Sequence, residues 1–326
     1  MILAGDIGGT KTVIALFECG DDRLERRRDA TFPSRDHASL EEILTRFLDA
    51  GPATIDAACF GVAGAVVGGQ ARTTNLPWTL DEAALARAVG ARRVKLLNDL
   101  EAAAYGMLEL RNDERARLNA GADGGARGNA AVIAAGTGLG EAVLFWDGER
   151  HHAVASEGGH ASFAARTDEE IALLRFLQAE LGQHVSTERV LSGPGLYNIY
   201  RFVRERGSAR EPDWLAAQFM RGDPGAAVGR AGLEGHDPAC AQALQLFAAI
   251  YGAEAGNLAL QCVAVGGVFI GGGIAPKILP ALQSGRFMEA FTDKGRFSGM
   301  LEGLEVSVAL DPQTPLRGAA RIASQL

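Results

Sequence analysis

The chain has 326 residues, of which 47% are apolar and 22% are charged, and its formal net charge is −8. These values are typical of a globular protein with an ample core and room for two domains. The acidic balance, without a basic stripe, argues against a nucleic-acid partner. No uninterrupted apolar run reaches the roughly 18 residues of a membrane span, so we expect no membrane partner.

The cysteines and the start of the chain indicate the compartment. Cys19, Cys59, Cys240 and Cys262 stand singly in apolar contexts. This pattern predicts buried, reduced thiols rather than disulfides or a zinc site. No basic leader or long apolar leader precedes the first apolar run, so we expect a cytoplasmic protein.

The chain opens with a glycine turn between two apolar runs. Residues 2–4 and 13–17 flank Asp6-Ile7-Gly8-Gly9-Thr10-Lys11, a pattern that predicts a β-hairpin. Glycines let a backbone approach a ligand closely, and successive N–H groups form an anion site. Asp6 can hold Mg²⁺ or its waters there, and Thr10 can donate to a phosphate oxygen. Taken alone, the motif fits a tight hairpin with a surface Asp equally well.

The next elements alternate between strands and helices. Two capping boxes predict helices over residues 39–49 and 79–89. Strands are predicted at residues 56–63 and 93–97, followed by a helix from about residue 101 to 110.

Asn98-Asp99 follows the strand at residues 93–97. In α/β sheets, ligands bind at the carboxyl ends of strands. Asp99 can accept a proton from a substrate hydroxyl as that hydroxyl attacks phosphorus. The alternative is that Asp99 is simply the N-cap of the following helix.

A second glycine turn repeats the first after a charged and Gly-rich stretch at residues 111–129. Gly136-Thr137-Gly138-Leu139-Gly140 lies between strand-like runs at residues 130–135 and 141–146. The stretch before it predicts a crossover between domains. Two phosphate-type turns indicate two similar halves that close around a nucleotide.

The rest of the chain is more helical. Thr167 is predicted to cap a helix with Ile171, Leu174, Leu177 and Leu181 on one face. Asp237-Pro238 is predicted to begin a long helix towards Cys262. A strand at residues 268–270, a helix from Pro276, a strand at 306–310 and a helix at 314–324 complete the prediction.

Three further polar or glycine-rich motifs are candidate ligand contacts. In Glu157-Gly158-Gly159-His160 the glycines remove bulk between two polar groups, so that both can face one small ligand. Glu188 precedes an apolar stretch that ends in a turn. Gly271-Gly272-Gly273 makes a flat surface for a base or ribose. Each also has a plain structural explanation as an ordinary His, an exposed helical Glu or a flexible turn.

Taken together, these motifs resemble the sugar kinase, Hsp70 and actin ATPase superfamily and, within it, the bacterial glucokinases. The residues that carry the resemblance are Gly5–Thr10, Leu97–Asp99, Gly136–Gly140, Glu157–His160, Glu188–Gly195, Gly266–Ile270 and Asp293–Phe297. Lys11 departs from the asparagine expected in that group, which affects the expected phosphate contacts. The cysteine-rich zinc motif that related repressor-type sugar kinases carry does not follow His160.

The resemblance implies an α/β fold with duplicated ribonuclease-H-like (actin-like ATPase) domains and an active site in the cleft between them. The small domain is expected at residues 1–110 plus 312–326 and the large domain at residues 111–311. A homodimer is implied in the same way. The expected reaction is transfer of the γ-phosphoryl group of ATP to the 6-hydroxyl of glucose.

The resemblance also implies roles for the sugar contacts. Asp99 is expected to be the base, and Asn98 to hold hydroxyls on the same edge of the ring. Glu157, His160 and Glu188 are expected to hold hydroxyls on the anomeric side.

The glycine turns are expected to hold the nucleotide, and Asp6 to position Mg²⁺. The residues implied for the nucleotide are Gly8, Gly9, Thr10, Gly136, Thr137, Gly138, Gly271, Gly272 and Gly273.

Two alternatives stay open at this point. One is a kinase of another hexose or of an N-acetylated hexosamine, or one that uses ADP or polyphosphate. The other is a sugar-binding regulator without catalysis, against which the acidic balance and the presence of Asp99 both argue.

Overall fold

The computed structural model describes residues 1–20, 24–51, 53–73, 75–122, 127–207 and 210–326. Residues 123–126 of the predicted crossover therefore lie outside the described residues. The strands are β1 (Ile2–Ile7), β2 (Lys11–Cys19), β3 (Leu24–Pro33), β4 (Ala57–Val62), β5 (Val66–Val67), β6 (Gln70–Arg72), β7 (Thr79–Asp81), β8 (Arg93–Asn98), β9 (Arg115–Ala120), β10 (Ala130–Ala135), β11 (Leu139–Trp146), β12 (His151–Ser156), β13 (Val268–Gly271) and β14 (Glu305–Ala309). The helices are α1 (Leu40–Asp49), α2 (Glu82–Val89), α3 (Asp99–Met107), α4 (Asp168–Leu181), α5 (Gly193–Arg206), α6 (Asp213–Arg221), α7 (Pro224–Leu233), α8 (Pro238–Cys262), α9 (Leu279–Leu282), α10 (Arg286–Thr292), α11 (Ser298–Glu302) and α12 (Thr314–Ala323).

The chain forms two compact units. The first comprises residues 1–112, 153–155 and 311–326, and the second comprises residues 113–152 and 156–310. Within the ranges that the structure describes, no helix is both long and apolar enough to cross a membrane.

The first unit is built on a mixed sheet in the order β3-β2-β1-β4-β8. β1 and β2 are antiparallel, whereas β1, β4 and β8 are parallel. Successive side chains of a strand point to opposite faces. Leu3 and Ile7 accordingly pack in the cluster that contains α1, and Ile2 and Ala4 in the cluster that contains α12.

The second unit repeats this pattern with the order β12-β11-β10-β13-β14-β9. β10 and β11 form the hairpin, and β10, β13 and β14 are parallel. The long helix α8 places Phe247 and Tyr251 in the core of this unit, together with Ile133 of β10.

Both predicted hairpins are confirmed, because β1–β2 and β10–β11 are antiparallel pairs joined by the glycine turns. Ser39, Thr167 and Asp237 also cap α1, α4 and α8 as predicted.

Three predictions about local structure are wrong. Thr79 does not cap α2: residues 79–81 form β7, and the Asp81 side chain accepts the hydrogen bond from Ala84 N instead. Helix α3 begins at Asp99 rather than near residue 101, and Asn98 is its N-cap. The helix predicted from Pro276 is confirmed, as a 3₁₀ helix over Ala275–Ile278 that continues into α9.

The predicted apolar face of α4 is the third error. Leu173 and Leu177 are buried, whereas Ile171 and Leu181 are exposed. Glu170 joins the buried face and is only 1% exposed, because its carboxylate pairs with Arg166 at 2.5 Å. Pairing with a cation is what makes the burial of a carboxylate tolerable.

The cysteines are free thiols, but only part of the expectation about their burial holds. Cys59 and Cys240 are buried and Cys262 is partly buried, whereas Cys19 at the end of β2 is exposed. No group of three or more His, Cys, Asp or Glu side chains suited to a metal occurs within the described part of the chain.

Candidate active site

The first glycine turn is held by a buried serine. Gly8 N donates to Lys11 O at 3.0 Å, which closes the turn itself. Ser34 N donates to Thr10 O at 3.0 Å, and Ser34 Oγ donates to Gly8 O at 2.7 Å. The Thr12 hydroxyl lies 2.9 Å from Ser34 Oγ, and since that serine proton is already used, Thr12 must be the donor. Sequence reasoning missed Ser34, because it lies far along the chain after β3.

Asp6 and Asp99 lie at the same edge of the first sheet. Asp6 is paired with Gly61 of β4, and Asp99 directly follows β8, the next parallel strand. A Cβ at Gly61 would lie 3.8 Å from Asp99 Cα. Burial and then the negative charge of Asp99 raise the pKa of Asp6 to about 6, while the charge of Lys11 opposes this rise. Two carboxylates that repel each other in this way form a place where a cation is favourable.

The start of α3 fixes the orientation of Asn98 and Asp99. Asn98 Oδ1 accepts from Leu100 N at 2.9 Å, and the Glu101 carboxylate accepts from Asn98 N at 2.9 Å. This reciprocal arrangement is a capping box. Asn98 Nδ2 also donates to Gly64 O at 3.1 Å, and Leu100 N donates to Asp99 Oδ1 at 2.9 Å. Both side chains are therefore held by backbone groups of their own unit.

The second glycine turn is fixed by contacts from residues 188–193. Gly136 N donates to Gly138 O and Gly193 N donates to Gly136 O, each at 2.8 Å. Glu188 Oε2 accepts from Leu139 N at 3.1 Å, and it would lie 2.6 Å from a Cβ at Gly138. The structure thus places Glu188 directly against this turn, and a side chain at Gly138 would displace its carboxylate.

A cavity of 1010 Å³ adjoins the second turn, wholly within the second unit. Gly136, Thr137 and Gly273 line it, together with apolar side chains such as Ile274 and Ile278. Its size is that of a small-molecule site.

The three late glycines differ in their position relative to this cavity. Of the three, only Gly273 lines the cavity. Gly271 is the buried last residue of β13. Gly272 has a φ of 80°, and a Cβ there would lie 2.2 Å from Ala135 O. Gly272 therefore lets the segment after β13 approach the end of β10, next to the cavity that Gly136 and Gly273 line.

The segment with Glu157 and His160 lies on β11. A Cβ at Gly159 would lie 2.2 Å from Leu139 O, so only glycine allows this approach. Glu157 and His160 are 87% and 61% exposed, and their side chains are 3.9 Å apart. Thr187 N donates to Ala161 O at 2.9 Å. The structure thus brings His160 and Glu188 onto neighbouring, hydrogen-bonded segments.

Comparison with solved structures defines the class of protein. A glucokinase from an Antarctic psychrotroph superposes with a TM-score of 0.88 at 33% sequence identity, covering 100% of this chain and 99% of that chain. A ROK family glucokinase from Streptomyces griseus, solved in complex with glucose and AMPPNP, has the same fold with a TM-score of 0.66 at 21% identity, covering 100% and 99% of the two chains. The chain is thus a sugar kinase with an actin-like ATPase fold.

The family follows from the sequence comparisons. The family model for glucokinase matches residues 3–326. The glucokinase of Trichormus variabilis is 41% identical over 342 residues, which cover 100% of this chain and 99% of the relative. The chain belongs to the glucokinase family.

Proposed function

We propose that the protein is a glucokinase that transfers the γ-phosphoryl group of ATP to the 6-hydroxyl of D-glucose. The observation that carries the proposal is Asp99, which lies at the end of a parallel strand with its orientation fixed by α3, in a chain that matches the glucokinase family over nearly its whole length. Phosphoryl transfer needs positioning and charge neutralisation more than covalent chemistry.

Asp99 is the base in this proposal. Its carboxylate accepts the proton of the sugar 6-hydroxyl as that oxygen bonds to the γ-phosphorus and the bond to the ADP oxygen breaks. Asp99 has to be ionised for this role. The hydrogen bond from Leu100 N to Asp99 Oδ1 at 2.9 Å orients the carboxylate.

The sugar contacts are Asn98 on the 6-hydroxyl side, and Glu157, His160 and Glu188 on the anomeric side. Carboxylates, an amide and an imidazole can each pair with one sugar hydroxyl. An epimer would leave at least one of these groups without its partner, and such a mismatch is what gives a polar site its selectivity. The structure supports this with the hydrogen bond from Thr187 N to Ala161 O, which joins the segments that carry His160 and Glu188.

The nucleotide is proposed to bind the two glycine turns and the cavity of the second unit. The phosphates would contact Gly8, Gly9, Thr10, Gly136, Thr137 and Gly138, whereas Gly271, Gly272 and Gly273 would form the wall beside the adenosine. Support comes from the cavity of 1010 Å³ that Gly136, Thr137 and Gly273 line together.

Mg²⁺ is proposed to lie at Asp6. The repulsion between Asp6 and Asp99 fits a cation there, and Mg²⁺ commonly uses only one or two protein carboxylates besides waters and phosphates. When bound, the ion supplies neutralisation of phosphate charge.

We further propose that the active site lies in a cleft between a small domain of residues 1–110 plus 312–326 and a large domain of residues 111–311. The chain is proposed to act as a cytoplasmic homodimer. These proposals rest on the glucokinase family to which the chain belongs.

The test is turnover with ATP and Mg²⁺ across glucose, mannose, galactose, fructose and N-acetylglucosamine, with detection of the sugar phosphate. We expect strong turnover of glucose and weak turnover of the others. If another sugar is phosphorylated instead, that sugar and not glucose is the substrate. If ATP supports no turnover of any sugar but ADP or polyphosphate does, that compound and not ATP is the donor. Glucose binding without turnover with any donor would favour a sugar sensor.

A further inference from the structure

A buried carboxyl group lies directly beneath the segment that carries Glu157 and His160. Glu141, on β11, is 3% exposed. Its Oε2 would lie 2.1 Å from a Cβ at Gly158, so the carboxyl group fills the space that a side chain at that position would occupy. Its Oε1 is buried and has no hydrogen-bond partner among the described residues. None of the roles proposed above uses this group.

Two ionisable groups of α8 interact with Glu141, and two cations extend this cluster beyond them. From α8, Glu254 faces Glu141 and Tyr251 is close enough for the Glu141 charge to act on its hydroxyl. Lys294, which follows α10, donates to Ala253 O and Asn257 Oδ1 at 3.0 and 2.7 Å and lies near Glu254. Arg166, before α4, is paired with Glu170.

The Lys294 cation lies near Glu254. At Glu141, burial, the negative charge of Glu254 and a hydrogen bond with the Glu254 side chain together raise the pKa to about 7. Interacting carboxyls of this kind titrate as a pair and keep one proton well above the usual range. Loss of that proton leaves two carboxylates facing each other in a poorly solvated site, where their repulsion is strong.

The geometry directs that repulsion towards the segment that carries Glu157 and His160. Helix α8 and the turn at residues 158–160 both pack against β11, the strand that carries Glu141. The Glu141 carboxyl contacts the Gly158 position, and Gly159 packs against Leu139, two residues before Glu141 on β11. Repulsion from Glu254 of α8 therefore acts on a carboxylate that is packed against this turn, which contains His160 and directly follows Glu157.

We propose that Glu141 is a positioning residue, whose shared proton with Glu254 holds the turn at residues 158–160 in the conformation that binds glucose. The inference rests on the proposed function, in which Glu157 and His160 contact the sugar. Its consequence is that affinity for glucose falls when the pair ionises, whereas the chemical step at Asp99 is affected less.

The experiment compares wild type with Glu141→Gln between pH 6 and 8.5. For wild type we expect the KM for glucose to rise about fivefold or more, in the lower range of couplings between sites, with a much smaller change in kcat. Glu141→Gln keeps the shape without the ionisable proton, so its KM should stay near the wild-type value at pH 6. Glu149→Gln, an exposed carboxyl in the turn after β11, is the matched control and should retain the wild-type profile.

A second readout does not depend on activity. In infrared pH titrations, wild type should show a protonated carboxyl that loses its proton near pH 7. This component should be missing in Glu141→Gln, whereas the component from Asp6, whose pKa is raised to about 6, should remain. In Glu254→Gln the band should titrate at lower pH, because the repelling charge is gone.

The outcomes separate this inference from the proposed function. A KM that rises with pH in Glu141→Gln as it does in wild type would assign the effect to another group and would overturn the inference. The absence of the infrared band from wild type would do the same. Lack of glucose turnover by wild type at pH 6.5 would instead refute the proposed function, and the infrared titration would still test the shared proton.

Discussion

Replacing Gly272 with alanine should destabilise the second unit, whereas the same change at Gly273 should not. Gly272 has a φ of 80°, and its Cβ would lie 2.2 Å from Ala135 O and within 3.0 Å of Ala135 N and C. The left-handed conformation costs alanine about 1–2 kcal/mol. The overlap forces a backbone shift that costs about 1–3 kcal/mol more. The two terms together predict a loss of about 2–5 kcal/mol in the free energy of unfolding.

Gly273 is the matched control, since no described atom lies within 4 Å of a Cβ at that position. We expect Gly273→Ala to stay within about 0.5 kcal/mol of wild type. Urea unfolding followed by circular dichroism measures both. With a urea slope of about 3 kcal/mol per molar, Gly272→Ala should lower the midpoint by about 1 M and Gly273→Ala by less than about 0.2 M. Equal midpoints for the two variants would refute the reasoning.

Three further predictions concern single groups. Asp99→Asn should lower kcat by about two to four orders of magnitude while calorimetry shows glucose binding largely unchanged; near wild-type kcat would remove Asp99 as the base. Tyr251→Phe should cost about 1–3 kcal/mol in urea unfolding, because Ala135 N, now 3.1 Å from the Tyr251 hydroxyl, loses its buried acceptor; an unchanged midpoint would contradict that. Because burial and the charge of Glu254 raise the pKa of Glu141 from 4.5 to about 7, the unfolded chain releases this proton first as pH rises. The urea midpoint should therefore fall between pH 5 and 7 more steeply in wild type than in Glu141→Gln, and parallel profiles would show that Glu141 is not the group responsible.

Short-range sequence patterns correctly predicted the hairpins and helix caps, because interactions between residues close in the chain determine them. Both glycine hairpins follow from apolar runs on either side of a glycine turn. The caps at Ser39, Thr167 and Asp237 follow from side chains that bond to nearby backbone. The prediction at Thr79 was wrong because Thr79 and Asp81, two residues that can each cap a helix, lie close together. Pairing of residues 79–81 with β6 leaves Asp81 as the residue at the start of α2.

Contacts between distant parts of the chain were not predictable in this way. Periodicity placed Ile171 on the buried face of α4, but the segments that the fold packs against this helix bury Leu173 and Glu170 instead. The bond of Ser34 to the first turn, and the meeting of Glu141 with Glu254, depend on which segments the fold brings together. A single sequence contains no local signal for such pairs.

The unequal burial of the thiols gives the protein a built-in labelling site. A maleimide reacts with the thiolate form, and burial raises the pKa of Cys262 to about 11, that of Cys240 to about 12 and that of Cys59 higher still. Cys19 is exposed at the end of β2. A fluorophore should therefore attach to Cys19 of the native protein without replacement of any other cysteine, and this would provide a reporter on the first unit during glucose and nucleotide titrations.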